Sequence, residues 1–391
     1  MDFYKRAYEL KEQTVSHRRY LHENAETGLD MPIATEYVID TLKEYGIAAQ
    51  KCGHGISAQI GHGEPVILLR ADMDALPMNE ESGEEFSCKT GASHGCGHDM
   101  HSAMLLTAAK MLKECENELK GTVRLMFQPA EETLQGCCDM LENGILNSPE
   151  PKAALSFHTA AGKFPVGTFM YNSKGVMMCS ADSFRILIKG KSGHGAYPHM
   201  AVDALRIAAH IYSALDSLIT KESDPEKSCT LTIGSLHSGS GANIISDKAV
   251  MEGMLRTDDG DLQKKLICRV KELSEGIALM YGGTAEIQII SHAPPLICDS
   301  GLTEKMKKYI GELNIPDIDF IPDIKANASE DFAHIAEKLP SSFIYLTAGF
   351  EDERGAYTAH HSKVRYNEAV LPIGAAAYAH CAYRFLCESS K

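Results

Sequence analysis

Residues 94–101 read HGCGHDMH, one thiol and three imidazoles within eight residues. Soft and borderline ligands at that density point to a divalent metal, the plainer alternative being a glycine-rich turn with an incidental cysteine. Gly95 and Gly97 leave Cys96 and His98 without bulky neighbours, and the run that follows has apolar residues at 104, 105, 108, 111 and 112, the spacing of a helix face. Cys96 and His98 are therefore expected in a loop at a helix N-terminus, where the dipole favours a thiolate. Two ligands do not hold a catalytic ion, so others must come from elsewhere in the chain.

Adjacent glutamates occur at Glu80 with Glu81, Glu84 with Glu85, and Glu131 with Glu132. The first two pairs lie in polar loop sequence and read as solvated. The third follows the apolar run TVRLMFQ and a proline, where carboxylates are costly unless paired or metal-bound. Neighbouring residues at a strand end point in different directions, so one can hold a cation while the other faces a water, which is what hydrolysis needs. His158 ends the apolar run AALSFH, with a satisfied core histidine as the alternative reading, and only one of His360 and His361 is expected to point into the site. His54 and His62 sit in glycine-rich loop sequence and read as structural or exposed.

The elements that must position these residues follow from periodicity. PVILLR (65–70), TVRLMFQP (122–129), AALSFH (153–158) and SSFIYLTAG (341–349) are continuous apolar runs, as expected of strands buried on both faces. Helical patterns separate them, among them PIATEYVIDTLKEYG, closed by Gly46. This predicts an α/β layer with a mostly parallel sheet covered by helices, whose site lies beyond the carboxyl ends of the strands, where Asp72, Asp74, Glu131, Glu132 and His158 fall. Between residues 183 and 292 the order changes to βαββαβ, the split arrangement of an α+β ferredoxin-like domain. The expected organisation is a discontinuous catalytic domain, 1–182 and 293–391, interrupted by a satellite domain, 183–292.

At 391 residues the chain has room for about two domains, and its 44% hydrophobic and 23% charged residues are ordinary for a globular protein. A net charge of −15 argues against nucleic acid as a partner, and an anionic substrate would need a local positive pocket. No run of eighteen apolar residues and no signal-peptide core occurs, and the 12 cysteines lack framework spacing. A reduced, cytoplasmic protein with no membrane partner is expected.

The strings RRYLHENAETG, LRADMDALP, HGCGHDMHSA, FQPAEE, GKSGHGAYPHMAVDA, ANIISD, ANASEDF and HHSKVRYNE, in this order, resemble a family of dinuclear metallo-amidohydrolases. It includes hippurate hydrolases, bacterial N-acyl-amino-acid aminoacylases and plant hydrolases of indole-acetyl-amino-acid conjugates. The resemblance spans essentially the whole chain. It implies Cys96, His98, Glu132, His158 and His361 as ligands of two divalent ions, Glu131 as general base and Asp74 as a carboxylate behind the ligands. It further implies that His194 contacts the substrate carbonyl or its developing oxyanion, that Asn243 and Arg256 hold the substrate carboxylate, and that the satellite domain pairs two chains into a homodimer. Two departures stand out: Ala25 where the family has proline in HENAE, and Lys363 where it has proline after His-Ser. A Cys ligand leans to zinc, while the oxygen and imidazole ligands suit manganese, cobalt or nickel as well.

The implied activity is hydrolysis of the amide bond of small N-acyl amino acids. A dipeptidase or carboxypeptidase on the same dinuclear site is the nearest rival. Further off stand an amidase using Cys96 as nucleophile and a non-catalytic metal-binding protein, which would have no need of a second carboxylate beside a ligand.

Overall fold

A computed structural model describes residues 1–389. The chain folds as two units, the first made of Met1–Met177, Ile297–Lys325 and Asp331–Lys391, the second of Met178–Leu296 with Ala326–Glu330.

The first unit is built on an eight-stranded sheet in the order 49–52, 55–61, 122–128, 66–72, 153–160, 341–347, 168–170, 319–321. The strands 122–128, 66–72, 153–160 and 341–347 at its centre run parallel. They are the apolar runs read from the sequence, and nearly every residue in them is buried, as two helix-covered faces require. Strand 55–61 pairs antiparallel with 122–128, and strand 168–170 pairs antiparallel with 341–347. Helix His98–Glu114 covers this sheet with Met104, Leu105, Ala108, Met111 and Leu112 fully buried, the stripe its spacing announces.

The helix Pro32–Glu44 shows how local chemistry sets the ends of these elements. Proline occupies its first position, and the Glu26 carboxylate accepts from the amides of Ile33 and Ala34, which no turn of the helix would satisfy. At its other end Gly46 takes φ +74° and the Ile47 amide returns to the Leu42 carbonyl. Ala25, at the family's proline position, is buried with Ala75, Cys88 and Ala92, so a small side chain there serves packing.

In the second unit, strands Ala181–Lys189, Cys229–Ser238, Lys248–Thr257 and Thr284–Ala293 form an antiparallel sheet in the order 229–238, 248–257, 181–189, 284–293. Helices Ala204–Glu222 and Gly260–Met280 pack on it, each started by an aspartate, Asp203 or Asp259, whose side chain accepts from the first-turn amides. This is the βαββαβ pattern with its own core, centred on Phe184, Ile186, Ile207, Met251 and Leu266. The boundaries expected from the sequence need correction: the unit begins at Met178 and ends at Leu296, and it takes in residues 326–330. The last segment belongs here because Ala326 bridges to Met178 and the Arg256 guanidinium reaches the Asn327 carbonyl and Ser329 hydroxyl.

Candidate metal centre

Asp72 ends the central strand 66–72, and Asp74 follows it. Asp74 makes two bonds that tie separate segments together. One oxygen pairs with His98 Nδ1 at 3.2 Å, and the other accepts from the Glu132 amide at 3.0 Å. The neighbouring strand 122–128 turns sharply at Ala130, whose φ of +51° is a left-handed conformation that alanine rarely takes. That turn presents Glu131 and Glu132 side by side.

His98 opens helix His98–Glu114 behind Gly97, which holds φ +87° and has Thr159 Oγ1 only 2.4 Å from where a Cβ would lie. The Nδ1 proton of His98 goes to Asp74, leaving Nε2 to face 3.8 Å to Asp72, 3.9 Å to Glu132 and 4.0 Å to Glu131. His158 is arranged alike: Nδ1 donates to the Thr159 carbonyl at 2.9 Å, and Nε2 lies 3.5 Å from Cys96 Sγ. A histidine that donates one nitrogen to an oxygen acceptor and leaves the other toward a cluster of ligand atoms is oriented as metal ligands are.

Three observations fit a cation here. His98 Nε2 and Glu132 Oε1 are buried without a hydrogen-bond partner, a costly state that an ion between them would relieve. The atoms of Cys96, His98 and His158, and those of His98, Glu131 and Glu132, lie close enough to share one. The protonation tendencies agree: burial, with Glu132 close by, pushes the Cys96 thiol above its ordinary range, so a thiolate at this position calls for a neighbouring positive charge. That corrects the expectation that the helix start alone would lower it. Burial works against the imidazolium of His98, yet Asp72, Cys96 and Asp74 hold its pKa well above the usual value, so a positive charge is favoured at Nε2. Burial together with His101 keeps His158 neutral, and burial raises Glu132.

Of the histidine pair, the structure brings His360 to this cluster. Its φ is +66°, its amide donates to the Gly95 carbonyl at 2.9 Å, and its Nε2 lies 3.4 Å from Glu132 Oε2, in reach of a cation shared with Cys96 and Glu132. His361, singled out by spacing, is exposed, stacks on Tyr357 at 4.1 Å and accepts at Nδ1 from the Lys363 amide. In this geometry His360, and not His361, is the imidazole within reach of Glu132.

His101, the third imidazole of HGCGHDMH, has a role the sequence does not announce. Its Nδ1 donates to Asp72 at 2.5 Å and its Nε2 accepts from the Thr159 amide at 2.7 Å, so both nitrogens are spent and it holds the backbone beside His158. Beneath it the fully buried Arg70 pairs with Asp72 at 2.8 Å and Asp331 at 3.2 Å, and Gln128 bonds both Arg70 and Asp331. Removing one member would leave an uncompensated buried charge, a loss of about 3–5 kcal/mol. Asp331 thus gives the ANASEDF stretch a place in the first unit.

The remaining candidates lie in the second unit. His194 and Ile244 face each other in a short antiparallel ladder, and the Gly195 amide donates to the Asn243 carbonyl at 2.9 Å, so His194 and Asn243 are neighbours. His194 Nδ1 accepts from the Ala196 amide at 3.1 Å, which leaves Nε2 as the donor of an exposed ring. Arg256 lies on another strand, held by Asn327 and Ser329.

The model of peptidase family M20/M25/M40 matches residues 68–384. Among curated relatives, IAA-amino acid hydrolase ILR1-like 2 from Arabidopsis thaliana is 36% identical, over 98% of this chain and 87% of its own length. N-acetyl-L-cysteine deacetylase of Bacillus subtilis is 34% identical over 93% of this chain and 85% of its own. Among solved structures, a dinuclear metal binding peptidase from the M20 family of Bacillus subtilis superposes with a TM-score of 0.78 at 30% identity, covering 97% of this chain and 99% of that one. The buried ligand cluster with a second carboxylate beside it and these full-length likenesses converge, and the chain belongs to peptidase family M20/M25/M40 as a metal-dependent hydrolase of amide bonds.

Proposed function

We propose that the protein hydrolyses the amide bond of small N-acyl amino acids. The observation that carries this reading is the buried cluster of Cys96, His98, Glu132 and His158, with orphaned atoms on His98 and Glu132 and with Glu131 beside them. These four, with one imidazole of the His360–His361 pair, would hold two divalent ions, zinc or manganese with cobalt or nickel also suited. Such ions supply a polarised scissile carbonyl and a more acidic attacking water.

The chain's own groups then have distinct tasks. Glu131 takes the water proton and passes it to the leaving nitrogen, as a carboxylate held near the ligands can. Asp74 fixes the tautomer of His98 and, through the Glu132 amide, the direction of that carboxylate. His194 offers its Nε2 proton to the carbonyl oxygen as negative charge develops there. Arg256 and Asn243 hold the substrate carboxylate, a task suited to a guanidinium fork in a chain of net charge −15. The second unit would join two chains in a homodimer, and the protein is read as cytoplasmic; among the described residues no helix is long and apolar enough to cross a membrane.

A Cys96-nucleophile mechanism is disfavoured because burial raises the thiol and lowers His158, the reverse of an activated thiolate–imidazolium pair. The names of the relatives support acyl-amino-acid substrates, a hydrolase of IAA-amino acids and a deacetylase of N-acetyl-L-cysteine. The deciding experiment is a panel of N-acetyl, N-benzoyl and longer N-acyl amino acids, their α-carboxamide analogues and dipeptides, assayed after chelation with each metal added back. Hydrolysis of acyl amino acids, dependent on metal and weak for the carboxamides, is expected. Full activity in metal-free protein, or turnover confined to dipeptides, would refute the proposal.

A further inference from the structure

The stretch HRRYLH (17–22) has no part in the hydrolytic chemistry, yet it carries three cationic side chains into the first unit. Arg18 and His22 stand one turn apart on helix Lys11–Glu23, 2% and 5% exposed. Arg18 donates to Asp99 at 2.7 Å and to Glu368 at 3.0 Å, and Arg19 grips both oxygens of Glu368 at 3.0 and 2.7 Å. His22 lies between two carboxylates. Its Nδ1 donates to Asp99 Oδ2 at 2.8 Å and its Nε2 to both oxygens of Glu80 at 3.0 Å. Burial opposes a charge on this ring, but Asp99 and Glu80 raise its pKa to about 9, so it is an imidazolium donating at both nitrogens.

The two carboxylates lie next to different segments of the candidate centre. Asp99 follows His98 in the first turn of helix His98–Glu114. Glu80 precedes Glu81, whose amide donates to the Ser362 carbonyl at 2.7 Å and whose Oε2 accepts from the Ser362 hydroxyl at 3.1 Å. Ser362 follows the His360–His361 pair. Glu80 is fixed in turn by the Cys88 amide at 3.1 Å and by the Ser82 hydroxyl, and Arg365 ties the histidine segment to Glu84 at 2.6 Å. An unbroken path therefore runs from His98 through Asp99, His22, Glu80 and Glu81 to Ser362 and the histidine pair.

We infer that His22 is a positioning residue that sets the spacing between the helix start carrying His98 and the turn carrying His360 and His361, and with it the geometry of one of two cation positions. This rests on the dinuclear reading above. Other buried ion clusters of the unit, such as Arg70 with Asp72 and Asp331, stabilise it without linking the histidine turn; the distinguishing property of His22 is that one nitrogen holds Asp99 beside His98 while the other holds Glu80, whose neighbour Glu81 is bonded to Ser362 of the histidine turn.

The test uses the full chain, stripped of metal and titrated with Co2+, followed by calorimetry and by visible absorption, whose ligand-field bands report coordination geometry. Wild type is expected to take up two ions. In His22→Gln one ion should bind about tenfold or more weakly, the scale for residues that orient metal ligands, with altered bands for that ion and the other ion unchanged. Glu80→Gln should move the same ion, and the double variant should lose less than the sum of the two. Arg19→Ala, which cuts the neighbouring Glu368 tie without touching the path, serves as the control for a local change that leaves the path whole. Two ions bound within twofold of wild type with unchanged bands in both His22→Gln and Glu80→Gln would overturn the inference alone, as would equal weakening of both ions in step with the Arg19→Ala control. If His22→Gln does not fold, the Glu80→Gln readings decide by the same criteria. A wild-type chain taking up fewer than two ions would overturn the dinuclear reading and this inference together.

Discussion

The charge on His22 makes a stability prediction whose size follows from its surroundings. The ring's ordinary pKa of 6.5 rises to about 9 in the folded chain, set by burial against it and by Asp99 and Glu80 in its favour, with Arg18 opposing from its own helix and His94 and Phe86 packed beside it. The folded state binds this proton more tightly than the unfolded state, so the stabilisation is complete below 6.5 and disappears as pH rises toward 9. At about 1.4 kcal/mol per pH unit, the interval corresponds to about 3 kcal/mol. Urea titrations of chelator-treated wild type and His22→Gln at about pH 6 and about pH 9.5 measure it as a difference of differences. Groups that titrate in both proteins, including buried thiols such as Cys298, whose pKa burial pushes up to about 12, cancel in that comparison. Wild type should lose about 3 kcal/mol more than the variant. A differential below about 1 kcal/mol would show that the ring is not held as an imidazolium and would refute the two-carboxylate account.

Glu131→Gln should retain fold and metal content while lowering turnover by about two orders of magnitude or more, whereas Glu132→Gln should lose a cation; the opposite pattern in metal analysis and kinetics would reverse their roles. His360→Ala should cost one ion per chain and His361→Ala none, by elemental analysis of the purified variants; if the losses are exchanged, the family spacing and not the present geometry identifies the ligand. If His194 serves the partner's site in a homodimer, mixing inactive Glu131→Gln and His194→Ala chains under subunit exchange should restore about a quarter of wild-type activity, from the one complete site in each mixed dimer. A mixture that stays dead despite verified exchange would place His194 at its own chain's site.

The central strands are legible because a strand buried on both faces is apolar along most of its length, and a run such as PVILL before Arg70 leaves few other readings. The flanking strands 49–52, 168–170 and 319–321 carry no such signal, since strands of three or four residues with mixed exposure have no period to detect. The second unit is legible for the opposite reason: in Lys248–Thr257 buried and less buried positions alternate, as a one-sided sheet demands. Its segment 326–330 escapes because a few loop residues join a unit through backbone hydrogen bonds and one guanidinium, none of which has a sequence pattern.

The same division runs through the centre itself. Cation ligands come from a short menu of side chains, so Cys96, His98, the Glu131–Glu132 pair and His158 stand out as candidates at strand ends and a helix start. A choice between neighbours does not stand out: His360 reaches Glu132 from a left-handed backbone, which composition does not encode for histidine. Still less visible are the groups that hold the ligands. His101 looks like a fourth ligand until both its nitrogens are found spent on Asp72 and Thr159, and His22 looks like a helix-surface histidine until its two carboxylates are found on segments 58 and 77 residues away. A positioning residue is defined by what it joins, and the joined pieces meet only in the folded chain. Its chemistry therefore has to be sought in variants that keep the ligands and change their spacing.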